Sequence, residues 1–432
     1  MARLAVNGGK KIRTKPFPAY NTIGKDEEEA VVGVLRSGVL SRFLGCRHEN
    51  FYGGPEVRAL ESEWAEYYNV RHAIAVNSAT SGLYCAVGAT GAGPGDEVIV
   101  SPYTMSASAS AALVYNAIPV FADIEEDHFC LDPDSVEERI TLRTKAVIVV
   151  DIFGLPYDAD RINAIAKKHG LKVIEDAAQA PGVRYKGKYA GTLGDIGVYS
   201  LNYHKHIHSG EGGVIVTDDD ELARRMRLIR NHAEAVVEDV PKSDLVNMLG
   251  FNYRMTEIEA AIARRQLKKL KGIMNKWRGN VAYLEERLAN IPCLEMPSVR
   301  PDCGHAYYMH PIKFRTDAGI KRERFVEAVG AELAPYVNRE DEGVKIGCGY
   351  VRPLYFQPLY RRKIVYGSGG FPFNYPPCKD TADYSEGICP VCEEMHFRRL
   401  ITHELMRPSL SREDLDDVAD AFFKVWECRE EL

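Results

Sequence analysis

Long apolar runs are missing from this 432-residue chain. The longest, such as 146–150, fall far below the ~18 residues that span a bilayer, which excludes a helical membrane anchor. The amino terminus has no apolar core of signal-peptide length, so the expected location is cytoplasmic. A basic excess is missing too. Lys and Arg total 55 against 61 Asp and Glu, a net charge of -6, which leaves no footprint for nucleic acid or an anionic membrane surface. Cysteine is sparse: ten scattered residues cannot form a disulfide scaffold. Internal repeats and low-complexity tracts are absent, which excludes fibrous and disordered classes. What remains is ordinary globular composition, 45% hydrophobic and 27% charged. At ~150 residues per domain the length allows two or three domains.

The periodicities point to an α/β architecture. Residues 55–68 put Val57, Leu60, Trp64 and Tyr67 on one helical face. Short β-rich runs follow at 73–76, 98–100, 120–122, 146–150, 171–174, 198–201 and 214–217, with helical stretches such as 158–169 between them. Apolar strands alternating with helices predict a mainly parallel sheet covered on both faces. Near residue 255 the texture changes. Residues 256–288 read as one long charged helix, and an irregular aromatic and Pro/Gly-rich region covers 335–391. Ser411-Arg-Glu-Asp then opens a final helix with Leu415, Val418, Phe422, Val425 and Trp426 on one face. The expected division is a large α/β domain over 1–260 and a smaller α+β domain over 261–432.

Three segments carry chemistry. Asn77-Ser-Ala-Thr-Ser-Gly follows a strand and opens a helix, where free N–H groups and the helix dipole favour an anion. Thr80 and Ser81 can add hydroxyl donors, although Ser or Thr at a helix start also serves as a plain N-cap. Val173-Ile-Glu-Asp ends a strand in an acid. Ligands in open α/β sheets bind beyond the carboxyl ends of strands, so Asp176 sits where a carboxylate can hold a cationic ring nitrogen, with Gln179 one helical step on. The third segment runs from Gly194 to Thr217. Lys205 lies just past a strand end, flanked by His204 and His206, before a Gly-rich turn. A lysine that forms a Schiff base must be available as neutral amine, which neighbouring cations and partial burial favour.

These strings, Ser200-x4-Lys205-x4-Gly210-Glu-Gly-Gly, Asp176-Ala-Ala-Gln179 and Asn77-Ser-Ala-Thr, resemble the sugar aminotransferases of the DegT/DnrJ/EryC1/StrS group. Gly93-Pro-Gly-Asp-Glu-Val-Ile-Val, Gly250-Phe-Asn-Tyr-Arg-Met and Cys389-Pro-Val extend the similarity from about residue 17 to 426. The resemblance implies the fold of the type-I enzymes dependent on pyridoxal 5'-phosphate. It implies Lys205 as the residue that binds the cofactor covalently and moves protons, Asp176 on the pyridine nitrogen and Gln179 on the ring hydroxyl. Thr80, Ser81, Ser200 and Asn202 would hold the phosphate, and Tyr103 would stack on the ring. Asn252 would reach the phosphate of a neighbouring subunit, so a homodimer is implied. His206, Arg352 and Tyr360 are candidate substrate contacts. The implied reaction is two-stage: glutamate or glutamine donates an amino group, and a keto-sugar, expected to be nucleotide-linked, accepts it. A cyclitol ketone (inosose) is the alternative acceptor, because Val6-Asn-Gly-Gly-Lys and the Arg13-Thr-Lys-Pro-Phe-Pro that follows are similar to cyclitol aminotransferases.

Departures from the family pattern fall mainly on the acceptor side. Ala79 stands where the family usually carries Gly, and Leu201 replaces an aromatic. The stretches 43–54 and 338–388 look expanded. Other readings are weaker. Gly91-Ala-Gly-Pro-Gly follows a helix and precedes a strand, the reverse of the order a dinucleotide loop requires. Related sugar dehydratases carry histidine in place of the lysine, whereas Lys205 is present here. A catalytically silent protein on this fold would not need lysine, acid and phosphate cradle together. Cys389-x2-Cys392 with His396 and Cys378 has a zinc-like spacing without a second tight pair, and is expected to be buried thiol rather than a metal site.

Overall fold

The structure, a computed structural model, describes residues 3–378 and 382–432. Residues 379–381 of the expanded 338–388 stretch therefore lie outside the described residues. The first half of the chain alternates as its periodicities require. Strands β1 (His72–Val76), β2 (Glu97–Val100), β3 (Ile118–Phe121), β4 (Thr144–Val150) and β5 (Lys172–Asp176) are followed by a two-stranded hairpin, β6 (Arg184–Tyr185) and β7 (Lys188–Tyr189). Strands β8 (Ile196–Ser200) and β9 (Gly213–Thr217) complete a seven-stranded sheet in the order β1-β9-β8-β5-β4-β2-β3. Its pairings are parallel except those of β9, which runs against both β1 and β8. The mainly parallel sheet expected from the apolar runs is present. The third strand is displaced from 120–122 to Ile118–Phe121, with Pro119 taken inside it.

Helices α1 (Lys25–Ser37), α2 (Pro55–Tyr68), α3 (Ala79–Thr90), α4 (Ser106–Val114), α5 (Pro133–Arg139), α6 (Ala159–His169) and α7 (Asp220–Arg230) accompany the sheet. In α2 the buried face is Val57, Leu60, Trp64 and Tyr68 rather than Tyr67, which is half-buried. Helix α8 (Glu257–Leu288) begins at a capping box, in which the Thr256 hydroxyl accepts from the Glu259 N–H and the Glu259 carboxylate accepts from the Thr256 N–H. Its first half, with Ala260, Leu267 and Leu270, packs in a cluster with β1, β8 and β9 residues. Its second half, with Trp277, Val281 and Leu288, packs in another cluster. That second cluster lies on a small antiparallel sheet, β10 (Leu294–Glu295), β11 (His310–Phe314), β13 (Leu400–His403) and β12 (Ile346–Cys348), in that spatial order. Helix α9 (Arg322–Glu332) and the helix Arg412–Glu427 cover it.

Two segments cross between the clusters. Leu4 and Phe17, from the start of the chain, are buried with the small sheet. Leu354, Tyr355, Phe356, Tyr360, Phe373, Tyr384, Cys389 and Cys392 are buried in the core of the large sheet. Asp123 fixes this returning segment by accepting from the Val391 and Cys392 N–H groups at 2.8 and 2.9 Å. Among the described residues no helix is long and apolar enough to cross a membrane.

Candidate active site

The carboxyl ends of β1, β5 and β8 open on one cavity of about 570 Å³. Lys205 reaches it from the loop between β8 and β9. Because β9 runs antiparallel beside β8, that loop is a return turn, cross-tied by Tyr203 N–H to Gly210 O at 2.8 Å and Leu201 N–H to Gly212 O at 2.9 Å. Lys205 is 9% exposed, and its Nζ stands 4.2 Å from the centroid of the Tyr308 ring. Asp176, at the end of β5, is buried in the same lining. Its Oδ2 accepts from the Ser108 hydroxyl at 2.9 Å and its Oδ1 from the Ala178 N–H at 3.2 Å. Burial raises its carboxyl above the ordinary range, although Ser108, Ala178 and the Lys205 charge pull the other way.

At the amino end of α3, Ser78, Ala79 and Thr80 line the cavity beside Ser200 and Asn202. Ser78 is the N-cap, its hydroxyl accepting from the Ser81 N–H at 3.0 Å. Helix and strand meet here at close range: a Cβ on Gly213 would lie 2.7 Å from the Ala79 nitrogen. Asn202 is held by Glu211 at 2.9 Å and accepts from the His204 N–H at 3.1 Å.

Several expected site residues lie elsewhere. The Ser81 hydroxyl is spent on Asn77 Oδ1 at 2.6 Å, outside the lining. Tyr103 is fully buried, edge-on to Phe153, Tyr350 and His396, and accepts from the Tyr350 N–H at 2.8 Å. Met105, two residues on, faces the cavity in its place. Gln179 stands behind the lining: its Oε1 accepts from the Phe153 N–H at 2.7 Å, and its Nε2 donates to the Tyr350 hydroxyl at 3.2 Å. Tyr350 is the residue that reaches the cavity. His206 points into the core, 4.4 Å from the Trp277 ring, with its Nε2 donating to Ala306 O at 3.0 Å. Burial pushes its pKa down to about 3. Arg352 is exposed over Phe356, and Tyr360 is core packing against Phe121 and Tyr384. Asn252 is exposed, accepts from Arg254 Nε at 2.7 Å and does not line this chain's cavity.

Other lining residues were not singled out from the sequence: Tyr308, Tyr350, Arg339, Lys345 and Glu404, with Ser108 as the support of Asp176. They come from loops beside the small sheet or from within α4, where no string announces them. Tyr350 does lie within the aromatic and Pro/Gly-rich region at 335–391. His204, rather than His206, lines the cavity, its Nδ1 accepting from Arg339 at 3.0 Å.

A lysine and a buried acid over a helix amino terminus are joined by a match to the DegT/DnrJ/EryC1/StrS aminotransferase family model across residues 23–375. The chain belongs to this family. The spore coat polysaccharide biosynthesis protein SpsC of Bacillus subtilis is 32% identical over 408 residues, covering 92% of this chain and 94% of that protein. An L-glutamine:2-deoxy-scyllo-inosose aminotransferase of Streptomyces kanamyceticus is 32% identical over 444 residues, 99% of this chain and 98% of its own. The crystal structure of DesI in the presence of its TDP-sugar product superposes with a TM-score of 0.78 at 28% identity, covering 99% of this chain and 97% of that one. The protein is a sugar aminotransferase with the type-I fold, dependent on pyridoxal phosphate. The residues present fit that group. Among the described residues no cation contacts the Oδ atoms of the buried Asp176 carboxylate, and the α3 terminus offers an anion cradle closed beneath by Gly213.

Proposed function

We propose that this family member moves an amino group from glutamine or glutamate to a ketone carbon of a polyhydroxylated ring. Lys205 is the catalytic residue. The observation that carries the reading is the arrival of Lys205 and Asp176 in one cavity above the α3 terminus. Thr80, Ser200, Asn202 and the first N–H groups of α3 would hold the cofactor phosphate, and Asp176 would face its ring nitrogen. When bound, pyridoxal phosphate supplies an electron sink for the carbon that loses its proton. Lys205 Nζ takes that proton from the donor's α-carbon and, in the second half, delivers one to the acceptor carbon. Tyr308 under the amine and the enclosing lining limit water at Nζ.

Charge bears on the acceptor. The lining contributes three cations, Lys205, Arg339 and Lys345, and three carboxylates, Asp176, Glu211 and Glu404. With the cofactor phosphate also present, that balance supports a neutral cyclitol or free sugar ketone as acceptor. A nucleotide-linked keto-sugar is the second reading, favoured by the likeness to DesI. The same reading takes the protein as cytoplasmic and as a homodimer in which Asn252 completes the neighbour's phosphate site. It also keeps the division near residue 260, supported by the change of packing partner along α8.

The test uses labelled glutamine and glutamate with a panel of inososes and nucleotide-linked keto-sugars. Wild-type protein is expected to aminate one group and Lys205→Ala to aminate neither. Transfer at an undiminished rate in the variant would sink the mechanism.

A further inference from the structure

An amino donor and a ring ketone differ in what they ask of a binding site. The donor brings an α-carboxylate, and the acceptor brings hydroxyls. Both must reach the same Lys205, so the cavity needs a cation for one and a hydrogen-bond acceptor for the other. Each charged group must also stay compensated by a neighbour while its own substrate is absent.

Arg339 and Glu404 meet this need. The Arg339 Nε and Nη2 fork onto Glu342 at 2.7 Å each, and Nη2 also donates to His204 Nδ1 at 3.0 Å. Its Nη1 stands 3.6 Å from Glu404 Oε2, beyond hydrogen-bond reach, and makes no hydrogen bond among the described residues. Glu404 Oε2 pairs with Arg407, whereas its Oε1 accepts no hydrogen bond among the described residues. Both side chains are only 13% exposed. Two nearly buried groups, ion-paired to each other, thus keep one donor edge and one acceptor oxygen without a hydrogen bond among the described residues. The linked charges are three cations, Arg339, Lys345 and Arg407, against two carboxylates, Glu342 and Glu404. The surplus is one positive charge, matching one carboxylate. His204 adds none, since burial and the Arg339 charge hold it below its ordinary pKa.

We propose that Arg339 and Glu404 form the substrate selector of this site. Arg339 Nη1 anchors the donor's α-carboxylate, and Glu404 Oε1 accepts a hydroxyl of the acceptor ring. Glu342, Lys345 and Arg407 are positioning residues that hold the two in place. The proposal rests on the transamination reading above.

The two half-reactions are followed separately on cofactor-loaded enzyme by the cofactor's absorbance. Arg339→Gln is expected to raise the donor KM about 10- to 100-fold, the worth of a charge-assisted hydrogen bond, with a much smaller change in the acceptor KM. Arg339→Lys recovers part of the loss. Glu404→Gln shows the converse, with the acceptor KM raised. A donor analogue carrying a carboxamide in place of the α-carboxylate loses the same factor on wild-type enzyme and nothing further on Arg339→Gln, which reads the contact even if the variant is less stable. An unchanged donor KM in Arg339→Gln, or equal losses in both halves, overturns the selector. No absorbance change on wild-type enzyme with any amino donor overturns the transamination reading and the selector with it.

Discussion

Lys205 and His206 are neighbours sent in opposite directions, one into the cavity and one into the core against Trp277. The buried imidazole has a stability consequence. Its folded pKa of about 3 lies below the ordinary 6.5, so the folded state binds fewer protons than the unfolded chain between those values. Stability contributed by neutral His206 is complete above pH 6.5 and falls as the pH drops toward 3. Urea midpoints measured from pH 7 to pH 5 are expected to decline, and His206→Gln to decline less steeply by about one proton's worth of slope. Identical slopes would mean that His206 does not set this dependence. Lys205, Asp176, Thr80, Ser200 and Asn202 were legible as neighbours because each lies at or just beyond the carboxyl end of a strand, and all five line one cavity. His206, Tyr103 and Tyr360 lie in the core instead, since a string does not say to which side of a turn a side chain points. Arg339, Lys345 and Glu404 were invisible because they converge from separate loops with no spacing to read.

At the scale of elements, apolar runs announced the strands and capping residues announced α8 and the final helix. The displaced β3 is explained by Pro119, which breaks the apolar pattern yet sits in a strand whose neighbour on one side only is β2. The approach of β9 to α3 was not foreseeable, since it depends on the antiparallel return of the chain after Lys205. A Cβ at Gly213 would press on Ala79 N and on Ser78 C and O, all backbone atoms at 2.7–2.8 Å. Gly213→Ala is therefore expected to cost about 1–3 kcal/mol of stability and to weaken the cofactor at least about tenfold, by pushing the helix terminus off the strand. Thermal melts and cofactor titration of the apoenzyme measure the two effects. Cofactor affinity equal to wild type would show that this contact does not set the cradle.

Across the whole molecule, the order of the chain and the order of packing part company. Leu4 and Phe17 belong with the small sheet and the buried residues of 354–378 and 382–392 with the large one, an interleaving that no linear division by composition discloses. The proposed pairing of two copies carries its own test. Lys205→Ala and Asn252→Ala subunits, each inactive alone, are expected on equal mixing to recover about one quarter of wild-type activity, because mixed dimers assemble one complete site. Absence of recovery in a verified mixed dimer would confine Asn252 to its own chain. The return loop that carries Lys205 bears on how the cavity is built. Both its feet stand on adjacent strands of the large sheet, as do those of Asp176 and the α3 terminus, so this side acts as the fixed jaw of a vice. Arg339, Lys345 and Glu404 form the other jaw, mounted beside the small sheet at the far half of α8. The cavity is thus walled on its Lys205 and Asp176 side by the large sheet and on its Arg339, Lys345 and Glu404 side by loops that pack with the small one.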